Sequence, residues 1–424
     1  MSLRGGIRRG AASPVASTRA LLSEFPRVVL VLATGDLVAS FGFSLFFPFL
    51  TIYLVQEMGA SAAQAGFVIA AYSLFSTVSG IAGGWLADRV GRRPVLIGSV
   101  SLTALLVASM ALVSETWHVG LVMVALGCID PAFLPAARAA VADTVDEARR
   151  PRAFGLLAVA NAVGWIAGPV IGAGLSTLGY PLLFGVSGVL VGCYTLIALR
   201  WLPETRPAST VRPEQDPRAR GEARAADGPR LRVFAAFLPL IGVTHAITFL
   251  WVTTLPIHAA GTLALPTPTW GVLFGLNGLL IVLFQLRVST ACERRSKPRV
   301  IALSVGLHAI GLGLVAGLSP ATAVPGLAAT ICLITVGEML LMPVVPSFIA
   351  ELSPIDRRGT YQGIAMAATA IGSGLGPPVA GLVLDALPGA VLWLAAALVL
   401  LVAGGGFLAL SRWSDRLPAQ PSVG

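Results

Sequence analysis

The chain is short of charge and almost without lysine. Of its 424 residues only 12% are Asp, Glu, Lys or Arg, and Lys297 is the single lysine. A soluble chain of this length carries about a quarter charged residues, which excludes a water-exposed globule. Cysteine is also scarce. Cys128, Cys193, Cys292 and Cys332 stand far apart, a spacing that fits neither a metal site nor a disulfide framework. They are expected to act as small apolar filler. No His-Glu-x-x-His run offers a zinc helix, and no glycine-rich loop with a following lysine offers a phosphate cradle for an ATP-driven pump. Neither a cofactor nor a metal is expected.

What is abundant is apolar sequence: 56% of residues are hydrophobic. Apolar runs of eighteen or more residues recur, each long enough to cross a hydrocarbon core ~30 Å thick. Twelve spans are expected, at 28–53, 62–87, 95–113, 118–142, 153–175, 181–200, 234–257, 268–288, 300–318, 323–350, 360–384 and 389–410. Residues 1–26 form a basic tail (Arg4, Arg8, Arg9, Arg19) with no apolar stretch placed like that of a signal peptide. Residues 201–232 are polar and interrupted by Pro203, Pro207, Pro213, Pro217 and Pro229, a composition that reads as a flexible linker. The chain therefore divides into a tail (1–26), a six-span half (27–200), a linker (201–232), a second six-span half (233–411) and a tail (412–424).

The net charge of +9 is placed for a bilayer rather than for nucleic acid. Connections after the even-numbered spans hold Arg89, Arg92, Arg93, Arg149, Arg150, Arg152, Arg294, Arg295, Lys297, Arg299, Arg357 and Arg358. Those on the other side hold Glu57, Glu115 and Asp385 and no Lys or Arg. Short loops rich in Lys and Arg stay cytoplasmic, so both termini are expected inside, in a multi-pass protein of the cell (inner) membrane. Trp117, Trp270 and Trp413 stand where interfacial aromatic anchors are expected.

The two halves repeat. Adding 208 carries Asp130 onto Glu338, Pro135 onto Pro343, Asp143 onto Glu351, Gly155 onto Gly363, Gly164 onto Gly372, and Gly168-Pro169 onto Gly376-Pro377; Pro48 falls on Pro256. Matched acids, prolines and glycines at one offset mark internal duplication. The fold class expected is an all-α membrane protein of twelve transmembrane helices in two pseudo-symmetric six-helix bundles.

Between spans two and three runs Gly84-Trp85-Leu86-Ala87-Asp88-Arg89-Val90-Gly91-Arg92-Arg93-Pro94. Gly91 permits a sharp turn and Pro94 can open the next helix. A positive turn that merely sets topology does not need an acid between two glycines at this spacing. This loop resembles the signature loop of the major facilitator superfamily of secondary transporters. The resemblance implies that Asp88 and Arg92 belong to a cytoplasmic charge cluster latching the outward-open state, with Gly84, Arg89 and Arg93 around them and Asp143 as the partner of Arg92. The second copy is degraded to Glu293, Arg294, Arg295 and Pro298. Span five carries Gly155, Gly164, Gly168-Pro169 and Gly172 near one face, which lets helices approach closely in lipid. That spacing resembles the fifth-helix motif of the superfamily's antiporters, mostly drug–proton exporters; tight packing alone is the alternative reading. The likeness extends over the whole chain in order and number of spans.

Ionisable residues inside the spans are Asp36, Asp130, Arg138, Glu338 and His245. A charge at the bilayer centre costs about 2.5–3.5 kcal/mol on insertion scales, so such residues face the bundle interior and are functional candidates by default. At 1.5 Å per residue, Asp36 lies ~14 Å and Asp130 ~18 Å from the ends of their spans, near mid-membrane. Either takes a proton during a transport cycle, or both pair statically with Arg138. Glu338 holds the place symmetric to Asp130. His245 can titrate near neutral pH or simply pack, as can His308. Asn277 and Gln285 are candidate polar contacts in the cavity. The phenylalanines before Pro48 and Phe249 and Trp251 before Pro256 suit a roomy apolar site or lipid-facing packing. Many of the superfamily's exporters carry an Arg four residues before the glycine numbered 127 here, where this chain has Met123; its role then falls to Arg138 or is absent.

The sequence thus points to proton-coupled export of hydrophobic small molecules by alternating access, acting as a monomer on a small-molecule substrate and protons. Proton-coupled uptake of a metabolite is the runner-up. An intramembrane enzyme lacks its parts: Asp36 follows a glycine, but Thr34 breaks the Gly-x-Gly-Asp setting of membrane aspartyl proteases. A non-transporting sensor has no need of a glycine face in each half.

Overall fold

The computed structural model describes residues 25–146, 149–205, 228–292, 295–354, 357–414 and 416. Most of the basic tail, linker residues 206–227, and Glu293 and Arg294 of the degraded loop lie outside the described residues.

Among the described residues twelve helices are long and apolar enough to cross a membrane: α1 Arg27–Glu57, α2 Ala62–Val90, α3 Arg92–Leu112, α4 Thr116–Thr144, α5 Arg150–Ser176, α6 Tyr180–Trp201, α7 Gly228–Gly261, α8 Thr267–Cys292, α9 Lys297–Val315, α10 Ala323–Leu352, α11 Arg358–Ala386 and α12 Gly389–Ser414. In hydrocarbon each must satisfy its own backbone, which is why the elements are helices. Lipid offers no hydrophobic drive between helices, and the outward residues include Leu105, Leu112, Leu196, Leu398 and Val402. Association must come from close packing of small faces.

That packing repeats between the halves. In the first, α1 packs on α5, α2 on α4 and α3 on α6. In the second, α7 packs on α11, α8 on α10 and α9 on α12. Gly164, Gly168 and Gly172 set α5 against the backbone of α1 at Leu37, Phe41 and Leu45; a Cβ on Gly164 would stand 2.7 Å from the Phe41 nitrogen. Gly372 and Gly376 set α11 against Gly242 and Ala246 of α7 in the same way. Gly155 does not join this face. It is exposed, with open space where a Cβ would go.

The halves meet mainly through α2 against α11 and α5 against α8, with the end of α7 touching α1. The close approaches lie toward the face whose connections lack arginine. There Gly66 faces Pro377, Gly381 faces Ala62, Gly271 faces Pro169 and Ala173, and Gly278 faces Ile166. Toward the arginine-rich face the same helices diverge, and a Cβ on Gly80, Gly155 or Gly363 meets nothing within 4 Å. The two bundles form a V, closed on one face.

Three expectations change. Trp270 is 1% exposed and packs edge-on to Phe274, so it belongs to the core; the tryptophans exposed near span ends are Trp85, Trp117, Trp201 and Trp413. Cys128 and Cys193 are exposed rather than filling the interior. The linker's first residues are fixed: Glu204 accepts from the backbone N–H groups of Arg92 (2.9 Å) and Arg93 (3.2 Å), occupying donors that the start of α3 leaves open.

Leucine at Gly172 is expected to disrupt the α1–α5 contact, costing the ~1–3 kcal/mol of stability typical of overpacking, or more, and so lowering the unfolding midpoint of the detergent-solubilised protein. Leucine at Gly155 should leave it unchanged. Equal effects at the two positions would contradict the packing described.

Candidate functional site

Three carboxylates lie inside the bundles, each in a different setting. Asp130 sits where α4 breaks. The helix runs Thr116–Ile129, tightens to a 3-10 turn over Asp130–Ala132, and resumes at Phe133. Pro131 has no N–H with which to continue the ladder, so the sequence itself accounts for the break. The Tyr72 hydroxyl of α2 donates to Asp130 Oδ2 at 3.4 Å. Tyr72 lies within an aromatic group, 5.7 Å from Phe43 and 6.2 Å from Phe47 between ring centres, and Trp165 is 6.1 Å from Phe43.

Glu338, on α10, is held from both sides. Trp251 Nε1 donates to Oε1 at 2.8 Å and Asn277 Nδ2 to Oε2 at 2.7 Å; Asn277 also reaches Thr335 Oγ1 at 3.0 Å. Trp251 stacks on Phe274 with centres 4.8 Å apart. Its helix is discontinuous, running Gly228–Thr248, Leu250–Thr253 and Leu255–Gly261. In both halves, then, an acid at equivalent repeat positions accepts a hydrogen bond from an aromatic ring that is itself packed against phenylalanine. Broken helices inside a bundle are tolerated where freed backbone groups face protein or a cavity.

Asp36 of α1 is buried. Asn161 Nδ2 of α5 donates to its Oδ1 at 3.0 Å and to Ser40 Oγ at 2.5 Å, and Ser40 Oγ lies 3.4 Å from the same Oδ1. Arg138 is exposed and forms no ion pair with Asp36 among the described residues. The repeat does not reproduce this group: the residue 208 beyond Asp36 is the buried Thr244. Met123 is fully buried in the core.

The other candidates scatter. His245 is half-buried and stacks on Phe249. His308 is buried, with Nδ1 2.9 Å from the Ser304 carbonyl oxygen, against Gly337. Gln285 Nε2 donates to Ser289 Oγ and to the Met339 carbonyl, tying α8 to α10 beyond Asn277. Sequence alone does not mark Tyr72, Asn161 and Trp251 as partners of the acids. The one available signal was an amide (Asn161) in an apolar span three residues before Gly164; nothing local marks one aromatic among many.

At the arginine-rich face Arg92 is buried. Its Nε donates to Asp143 Oδ2 (3.1 Å), while Nη1 reaches Asp88 Oδ1 (2.8 Å) and the Ala87 carbonyl (2.6 Å). Gly91 has φ +117°, a conformation that favours glycine, and separates α2 from α3. Gly84 faces Pro135, Arg89 lies 4.1 Å over the Trp85 ring, and Arg93 donates to the Leu199 carbonyl. Among the described residues no group of three or more His, Cys, Asp or Glu is placed to hold a metal ion.

Two six-helix bundles with mid-span acids, and one broken helix in each half, define the class: a multi-pass membrane transporter built on duplicated halves. The Major Facilitator Superfamily model matches residues 32–324 and 240–423, and the chain belongs to that superfamily. It is similar to the uncharacterized MFS-type transporter YqjV of Bacillus subtilis, at 26% identity over 83% of this chain and 85% of that one. It is similar also to the multidrug resistance protein MdtH of Cronobacter sakazakii, at 27% identity over 84% and 86%. In fold it matches a mutant of the peptide transporter POT in complex with sulfate, with TM-score 0.78, 16% identity and 93% and 96% coverage. It likewise matches a bacterial homolog of the lysosomal transporter Spinster in an inward-facing, unoccupied conformation, with TM-score 0.74, 15% identity and 97% and 100% coverage.

Asn277→Ala leaves Glu338 without one of its two donors. Stability is expected to fall by the ~1–3 kcal/mol that such a loss costs at a buried polar group, and the unfolding midpoint with it. An unchanged midpoint in a thermal melt would mean that Glu338 does not depend on this bond.

Proposed function

We propose that the protein is a proton-coupled exporter of hydrophobic small molecules, with lipophilic cations favoured. The observation that carries this reading is the paired arrangement of an acid hydrogen-bonded to a packed aromatic, Asp130–Tyr72 in one half and Glu338–Trp251 in the other. Aromatic faces supply apolar contact area and attract cations. A buried carboxylate that exchanges a ring donor for a cation, or for a proton, can serve one at a time, which is the requirement of antiport. Similarity to a relative named for multidrug resistance supports the substrate class.

On the positive-inside orientation the closed face is the outer one, the cavity opens to the cytoplasm, and both termini are cytoplasmic. Asp36 with Asn161 and Ser40 forms a second polar group inside the first half, and we assign it to proton handling beside Asp130, with the exposed Arg138 as a further candidate. Asp88, Arg92 and Asp143, with Arg89 and Arg93 flanking, form the latch that holds the cytoplasmic face shut once the halves rock the other way.

In everted membrane vesicles energised with an internally acid pH gradient, adding a lipophilic dye cation such as ethidium should dissipate the gradient in wild type. Asp130→Asn should abolish this while leaving the protein folded. Full retention of gradient-driven transport by Asp130→Asn would reject the role of that acid, and proton movement in the same direction as substrate would replace export by uptake.

A further inference from the structure

On the arginine-poor face a carboxylate joins the two halves. Asp385, in the last turn of α11, accepts hydrogen bonds from the backbone N–H groups of Ala62 and Ala63, Oδ1 and Oδ2 each at 2.9 Å. These are the first two residues of α2, in the opposite half. Gln64 N is already bonded to Ser61 Oγ, and Ser61 N to Gln64 Oε1, so the capping box and Asp385 together satisfy the start of α2. A carboxylate at a helix N-terminus also meets the positive end of the helix dipole. Around it the interface is nearly bare backbone, with Gly381 against Ala62 and Gly66 against Pro377.

The arrangement mirrors the other end of the same helix pair. Asp88 stands in the last turn of α2 on the arginine-rich face, where the halves diverge; its side chain is 63% exposed and pairs with Arg92 of its own half. An acid thus ends each of the antiparallel helices α2 and α11, at opposite faces. Of these two acids, Asp385 is bonded across the halves in this conformation and Asp88 within its own half.

We infer that Asp385 is the outer latch of the transporter: by capping α2 it holds the outer face shut, and its release is required for the outward-facing state. The inference rests on alternating access and is independent of the coupling ion and the cargo. When the outer face opens, the Ala62 and Ala63 N–H groups pass to water, at the loss of two charge-assisted hydrogen bonds.

The test uses paired spin labels on the full-length chain, one pair across the outer face (positions 57 and 387) and one across the arginine-rich face (146 and 360), read by pulsed dipolar spectroscopy. Asp385→Ala should lengthen the outer distance and shorten the other, moving the outward-to-inward ratio about tenfold or more, as expected for the loss of hydrogen bonds to a charged group. Ala62→Pro supplies a second variant that keeps the acid. Proline is favoured at the first helical position, and Ser61 before it is already extended, so the helix survives while one donor disappears. It should shift the ratio the same way by a smaller factor. Distances superimposable on wild type in a folded Asp385→Ala protein would overturn the latch. Wild-type distances that do not respond to a pH gradient or to dye would instead count against the proposed coupling ion and cargo, while the shift in Asp385→Ala alone decides the latch.

Discussion

The structure depends on backbone approaching backbone in a solvent that supplies no drive for apolar groups to associate. Leucine gains nothing by leaving lipid for a helix neighbour, so the helices adhere where carbonyl and Cα surfaces come into direct contact. Gly164, Gly168 and Gly172 give α1 and α5 that contact, and Gly372 and Gly376 give it to α7 and α11. The same economy of side chain operates between the halves, where Gly66, Gly271 and Gly381 meet proline and alanine.

Within those bodies the polar groups are arranged so that each buried acid has a named donor. Asp36 has Asn161, Asp130 has Tyr72, and Glu338 has Asn277 and Trp251. A carboxylate in a low-dielectric interior is tolerated only when hydrogen-bonded, paired or protonated. The breaks in α4 and α7 bring irregular backbone to the same depth.

The halves are related but not equal. Pro48 lies inside an unbroken α1, whereas its counterpart Pro256 follows the second break of α7. Asp130 occupies a break, whereas Glu338 occupies the continuous α10. The Asp36 group exists only once. Duplication supplied the scaffold, and divergence within it left one half with two acids and the other with one acid held by two donors.

Much of this was legible in the residues themselves. Span number, the repeat at 208, the turn at Gly91 and the acids inside the membrane all follow from hydropathy, spacing and the cost of burying charge, which are properties of short stretches. The partners of those acids were not legible: Tyr72, Asn161 and Trp251 become donors only because α2, α5 and α7 lie beside α4, α1 and α10. Trp270 read as an interfacial anchor because position along a span does not reveal which side of the helix is covered. Glu204 looked like loose linker because its partners are the backbone N–H groups of α3, 111 and 112 residues away. Local sequence determined which segments cross the bilayer and which charges they carry. The tertiary structure alone decided what each charge touches and which face is closed, because those contacts join residues far apart in the chain and depend on how whole helices pack.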